Sequence, residues 1–333
     1  MRITFRETVW KDAIMGLVVG DALGVPVEFF KREDLKLDPV TGMREFGTHD
    51  QPKGTWSDDS SMTLATLASL RNGYDLKDIA EQFVKWNREG EYTPFGEVFD
   101  EGITCHMAIG RFKKSGDPYS CGMDGEEDNG NGSLMRILPA CLYACSKEAI
   151  GRMNEDEAIK MIHEVSALTH AHLRSKIACG LYYFMVKGIL NGEENDTMSD
   201  CLQDGLDRGF RYYMKDENNL SELAKFSRVR ETKLFKLTAE DDIRSSGYVL
   251  DTFEAALWCL LNTESYEEAV LKAVNLGRDA DTVAAVAGGL AGLYYGYEEI
   301  PEDWKDAIVN REEIIKELGY IDYSHERFIT RLY

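Results

Sequence analysis

The sequence predicts an all-α fold, a compact multi-helix bundle packed around one core. Three observations carry that prediction. Only 7 prolines occur in 333 residues. Long segments place apolar residues three and four apart, which gathers them on one face of a helix. Period-two alternation is nearly absent, and Arg2-Ile3-Thr4-Phe5 is too short to make a strand.

The elements follow in chain order. The first apolar run, Ala13 to Val19, lies on a helix with small faces that breaks around Gly24 and Pro26. Ser61 to Leu70 carries Leu64, Ala65, Leu67 and Ala68 and stops at Asn72-Gly73. Helical spacing returns in Asp156 to Leu168, Lys176 to Leu190, Val249 to Leu261, Tyr266 to Leu276 and Val283 to Tyr294. The last is rich in Ala and Gly, so neighbours can pack closely on it, and a central position is expected. Asp124 to Gly132 and Asn191 to Asp200 read as exposed loops, and the charge-rich stretch from Asp204 to Asp242 as peripheral helices. With no internal repeat and no Pro- or Ser-rich linker, residues 1–333 read as one domain.

Composition narrows the function. Lys plus Arg number 38 and Asp plus Glu 59, a net charge of −21. Nucleic acid and anionic membrane both reward basic surface, so neither is an expected partner. The longest uncharged apolar stretch, Val283 to Tyr297, falls short of the about 20 residues that a membrane span needs. The first apolar run, flanked by Asp12 and Asp21, lacks the basic-then-apolar order of a signal peptide. The 7 cysteines form no C-x-x-C pair, which fits free thiols in a reducing cytoplasm.

Two segments share one grammar. Gly54-Thr55-Trp56-Ser57-Asp58-Asp59-Ser60 precedes one predicted helix, and Gly277-Arg278-Asp279-Ala280-Asp281-Thr282 opens another. Each offers two carboxylates and a hydroxyl. Helix capping explains one acid per helix; two adjacent acids exceed that need. If the segments converge, four carboxylates repel unless a cation neutralises them, and all-oxygen ligands select Mg²⁺, Mn²⁺ or Ca²⁺ over zinc.

Other segments are weaker signals. Glu28, between Val27 and Phe29, is either an exposed loop acid or a carboxylate with a tuned pKa. Asn129-Gly130-Asn131-Gly132-Ser133-Leu134-Met135-Arg136 is either a flexible loop with a Ser133 cap or a phosphate-binding turn. His170 and His172, two apart, would face away from each other on a helix, which argues against a shared metal. Asp100 alone reads as a surface acid. No P-loop, G-x-S-x-G, H-E-x-x-H or dinucleotide G-x-G-x-x-G occurs, and no cysteine has a histidine at a distinctive spacing.

In this order, the motifs resemble those of the ADP-ribosylglycohydrolase family. They are GDALGVPVEF (20–29), GTWSDDSSM (54–62), FDEGITC (99–105), GNGSLMRILPA (130–140), LTHAHL (168–173), SSGYVLDTFEAALW (245–258) and GRDADTVAAVAGGLAG (277–292). The resemblance implies an all-α hydrolase that binds two Mg²⁺ or Mn²⁺ ions and cleaves ADP-ribose from modified protein side chains, releasing ADP-ribose. It assigns Ser57, Asp58, Asp59, Asp279, Asp281 and Thr282 to the metals. Glu28 becomes an acid at the active-site mouth, and Asp100 a catalytic carboxylate of the arginine-directed branch. Gly130, Asn131, Gly132, Ser133, Met135 and Arg136 would cradle the pyrophosphate, with His170 beside the substrate and Tyr248 stacking on adenine. Two positions depart from the pattern: Ser57 replaces the usual Thr, and Arg278 stands where Gly or Asn is usual. That cation would either compete with one metal ion or contact the substrate. Other readings are a different linkage (serine or a small-molecule conjugate), a non-catalytic ADP-ribose binder, and an acidic scaffold without a site. The scaffold leaves the two matched acid–hydroxyl clusters unexplained.

Overall fold

Residues 8–319 are described by a computed structural model, in which helices account for nearly all regular structure. The run Arg2 to Phe5 lies outside them. The longer helices are α1 (Val9–Gly24), α2 (Arg32–Leu37), α3 (Asp58–Leu70), α4 (Leu76–Glu89), α5 (Ile103–Ser115), α6 (Leu138–Ala149) and α7 (Glu155–Ala167). There follow α8 (Leu173–Asn191), α9 (Met198–Tyr213), the short α10 (Leu220–Leu223) and α11 (Thr232–Phe235), then α12 (Val249–Leu261), α13 (Tyr266–Val274), α14 (Ala280–Tyr295) and α15 (Glu302–Ala307). Three isolated bridges, Phe46–Gln51, Met123–His170 and Gly130–Tyr248, are the only extended pairings among the described residues.

Helices α1 and α14 form the centre, and both are buried along nearly their whole length. Glycine is what lets them approach. A Cβ on Gly20 would lie 2.2 Å from the Ala284 carbonyl oxygen, and one on Gly24 would lie 2.2 Å from the Asp281 Cα. The Tyr266 hydroxyl ties α13 to this pair by donating to the Gly16 carbonyl at 2.7 Å, and Tyr182 of α8 donates to the Val286 carbonyl at 3.1 Å. The close crossing brings the C-terminal end of α1 and the N-terminal end of α14 together, with the first turn of α3 alongside.

Two expected loops need correction. Asp124 to Gly132 contains a single 3-10 turn, Glu126–Asp128, and its second half is not exposed: Asn129 and Asn131 are buried. Side-chain bonds explain this, since Asn129 accepts from Ser175 and Asn131 donates to Thr252. Asn191 to Asp200 loses both ends to helices. Thr197 caps α9 by accepting from the Asp200 amide, whose side chain bonds back to the Thr197 amide. The helix therefore starts inside the polar run. Among the described residues no helix is long and apolar enough to cross a membrane. All 7 cysteines are free and buried.

Candidate active site

The first turn of α3 is satisfied from two directions. Ser57, its N-cap, accepts from the Asp59 amide at 3.3 Å. Asp21, buried within α1, accepts from the Ser57 and Ser60 amides at 3.0 Å and from the Ser60 hydroxyl. Ser57 and Asp21 thus do the capping, which leaves Asp58 and Asp59 free. At α14, Asp279 sits at the N-cap without bonding the helix amides, and the Asp281 carboxylate accepts from the Thr282 amide at 2.9 Å.

The two acidic turns meet. The Thr282 hydroxyl donates to Asp59 at 3.3 Å, and Glu28, Asp279 and Asp281 present oxygens all within 4.8 Å of one another. Asp59 Oδ2 and Asp281 Oδ2 are buried without a hydrogen-bond partner. A partnerless buried carboxylate oxygen is costly, and several in one place cost more. Burial, followed by neighbouring carboxylates, pushes Asp58, Asp59 and Asp281 well above the ordinary aspartate value. Burial also raises Asp279, against a hydrogen bond from Asn131. The same penalty lifts Asp21 to about 6, opposed by its bonds from Ser60 and Ser57. Unpartnered hard oxygens, gathered at carboxyls that resist ionisation, are the donor set that a divalent cation completes.

A cleft of about 490 Å³ opens on this cluster. Of the residues singled out in the sequence, Glu28, Asp58, Asp59, Asp100, Gly130, Asn131, Gly132, Met135, His170, Asp279 and Thr282 line it. Ser57 and Asp281 are buried outside its lining. Glu28 is buried, and its pKa rises to about 8 through desolvation and then the charge of Asp279. Asp100 also rises to about 8, through desolvation and then Glu28. Neither open reading of these two as plain surface acids survives. The sequence reading missed His49: its ring nitrogen pairs with Glu28 and lies 3.9 Å from Asp100. A lone histidine in Gly47-Thr48-His49-Asp50 carries no spacing signal. Asp21 was likewise hidden within an apolar helix.

The glycine loop is braced rather than flexible. Asn131 N donates to the Gly247 carbonyl at 2.9 Å, Val249 N donates to the Asn129 carbonyl at 3.0 Å, and the Asn131 side chain also holds Asp279. Gly132 must be small, because a Cβ there would lie 2.8 Å from both Cys105 Sγ and the His170 ring. His170 bonds Thr169 at 2.8 Å, and burial lowers its pKa to about 3, so it stays neutral. His172 instead caps α8, accepting from the Arg174 amide.

Two residues expected to touch pyrophosphate do not line the cleft. The Arg136 guanidinium is fully buried, donating to Thr169 at 2.7 Å and to the Val165 carbonyl, and it stacks 4.6 Å from the Phe83 ring centre. The Ser133 hydroxyl is buried against Ser166 and Cys179. Both brace the loop from behind. Tyr248 lines an adjoining hollow of about 420 Å³ that shares Gly130 and Gly247 with the main cleft, and its hydroxyl accepts from Arg174 at 3.0 Å.

Known proteins are similar to this chain in sequence and fold. The ADP-ribosylglycohydrolase family model matches residues 5–329. ADP-ribosylarginine hydrolase Tri1 of Serratia proteamaculans is 33% identical over 91% of this chain and 76% of its own. The ADP-ribosyl-[dinitrogen reductase] glycohydrolase of Rhodospirillum rubrum is 30% identical over 88% of this chain and 87% of its own. A solved structure described as an ADP-ribosylglycohydrolase-related protein complex superposes with a TM-score of 0.75 at 29% identity, covering 96% of this chain and 98% of that one. With its acidic helix starts gathered in one cleft and a family match along almost its entire length, the chain belongs to the ADP-ribosylglycohydrolase family and is a glycohydrolase.

Proposed function

We propose that this protein removes ADP-ribose from modified arginine side chains of proteins by hydrolysing the N-glycosidic bond at the ribose anomeric carbon. The observation that carries the reading is the convergence of both acidic helix starts with Glu28 and Asp100 in one cleft. The names of the relatives favour arginine as the linkage. Ser57, Asp58, Asp59, Asp279, Asp281 and Thr282 would hold two Mg²⁺ or Mn²⁺ ions. Ions held there would supply Lewis acidity, through which the ribose hydroxyls would be oriented and the pKa of water lowered. Asn131 keeps Asp279 oriented, and Asp21 fixes the turn that carries Asp58 and Asp59.

Cleavage passes through an oxocarbenium-like state at ribose. Water oxygen bonds to the anomeric carbon, the carbon–nitrogen bond breaks with its electron pair left on nitrogen, and the proton that water loses ends on that nitrogen, so the side chain departs as a guanidinium. Asp100 can pair with the departing guanidinium through two parallel hydrogen bonds, with Glu28 beside it. The main cleft takes the ribose and diphosphate along Gly130, Asn131, Gly132, Met135 and His170, and the hollow beside Tyr248 takes the adenine. Residues 1–333 are read as one domain, supported by a continuous apolar core from Val9 to Leu318. A cytoplasmic setting is supported by the free thiols. Matched peptides carrying ADP-ribosyl-arginine or ADP-ribosyl-serine, each with Mg²⁺ or Mn²⁺, test the reading. Metal-dependent release from arginine is expected; faster release from serine overturns the linkage.

A further inference from the structure

Among the described residues that line the active-site cleft, Arg278 alone carries a permanent positive charge. The other charged groups there, Glu28, Asp58, Asp59, Asp100 and Asp279, are acids. An arginine in such company ordinarily pairs with a carboxylate. Arg278 does not: its side chain is exposed, with no ion pair or hydrogen bond among the described residues. Its backbone, by contrast, is pinned. Arg278 N donates to the Phe30 carbonyl at 2.7 Å, and Phe29 N donates back to the Arg278 carbonyl at 2.5 Å.

That pairing holds Arg278 at φ +63°, in the left-handed region that favours glycine and asparagine. A long side chain in this conformation is strained, and such strain persists where the side chain has another use. An unpaired guanidinium at the mouth of an acidic cleft, on a protein of net charge −21, has an evident one. It offers a planar fork to an incoming oxyanion. Arg136 cannot do so from the interior.

We propose that Arg278 is a specificity-determining residue that binds an oxyanion of the substrate at the cleft mouth. The oxyanion belongs either to the diphosphate of ADP-ribose or to an acidic side chain flanking the modified arginine on the target protein. The proposal rests on the hydrolase reading above.

The test compares wild type, Arg278→Asn and Arg278→Lys, all loaded with Mg²⁺. Calorimetry gives the affinity for free ADP-ribose, and kcat/KM is measured on ADP-ribosyl-arginine peptides flanked by Glu or by Gln. Arg278→Asn should raise Tm, because Asn suits the backbone, while lowering binding or kcat/KM about tenfold. Arg278→Lys should recover part of that loss. A loss with free ADP-ribose assigns the diphosphate; a loss only with Glu-flanked peptides assigns the target protein. Unchanged values in every arm, or a loss accompanied by a lower Tm, overturn the proposal. A wild type that cleaves neither peptide overturns the hydrolase reading instead, and the ADP-ribose titration then decides Arg278 by itself.

Discussion

Asp21 is the residue that makes the carboxylates of α3 available, and its effect explains what the sequence could and could not reveal. The doubled acids of Asp58-Asp59 and Asp279-x-Asp281 were legible because capping needs fewer. The partner that takes over the capping is far away in sequence and looks like one polar residue in an apolar helix. Arg136 misled for the opposite reason: an arginine after glycines suggests phosphate, but its guanidinium is turned inward onto Thr169, the Val165 carbonyl and the Phe83 ring. Two predictions belong at this scale. Asp281→Asn removes a carboxylate with a partnerless buried oxygen. Metal affinity by calorimetry should fall at least about tenfold, and activity with it; full affinity with normal turnover would remove Asp281 from the ligand set. Asp100→Ala should retain the metal ions and free ADP-ribose binding but lose arginine-linked hydrolysis by at least the ~10²-fold typical of a general acid–base group. A variant as active as wild type would end the assignment.

Helices were legible where apolar residues recur three and four apart over several turns or a run of small residues announced a crossing. Val249–Leu261 coincides with α12, and α14 extends the predicted span by a turn into the acidic motif. The α4 signal was present too, with Leu76, Ile79, Ala80, Phe83 and Trp86 spaced between an Asp75 cap and Gly90. The first nine residues of α6, Leu138–Ser146, are all buried, and with Pro139 at the start and small residues between the apolar ones they show no distinct period. Close packing of α1 on α14 yields a paired prediction. Gly24→Ala places a methyl against the Asp281 backbone and should cost about 1–3 kcal/mol while weakening metal binding, because Asp281 must shift. Gly110→Ala, in α5 with nothing within 4 Å of the new methyl, should instead stabilise by about 0.5–1 kcal/mol. Denaturant midpoints and metal titrations of both variants check the contrast; equal effects would mean that the α1–α14 contact is not what requires glycine.

For the molecule as a whole, folding gathers Asp21, Glu28, Asp58, Asp59, Asp100, Asp279 and Asp281 at one end of the bundle, against electrostatic repulsion. Each has its pKa raised, with Asp21 at about 6 and Glu28 and Asp100 at about 8. The unfolded chain releases these protons near the ordinary values of 3.8 for Asp and 4.5 for Glu. Between roughly pH 4 and 8 these seven groups therefore hold more protons in the folded state than the buried, neutral His163 and His170 forgo, and stability falls as pH rises. The contribution is fully present below the unfolded values and is lost as pH passes through the folded ones. A cation bound by these carboxylates replaces the protons and adds stability by mass action, about 2.7 kcal/mol at a hundredfold excess over Kd. Melting curves in EDTA should thus decline from pH 5.5 to 8.5, and saturating Mg²⁺ should lift them most at the alkaline end. The pH-dependent part of that lift should shrink in Asp281→Asn. An EDTA series that stays flat, or a Mg²⁺ increment independent of pH, would mean that these carboxylates are neither the strained group nor the cation site.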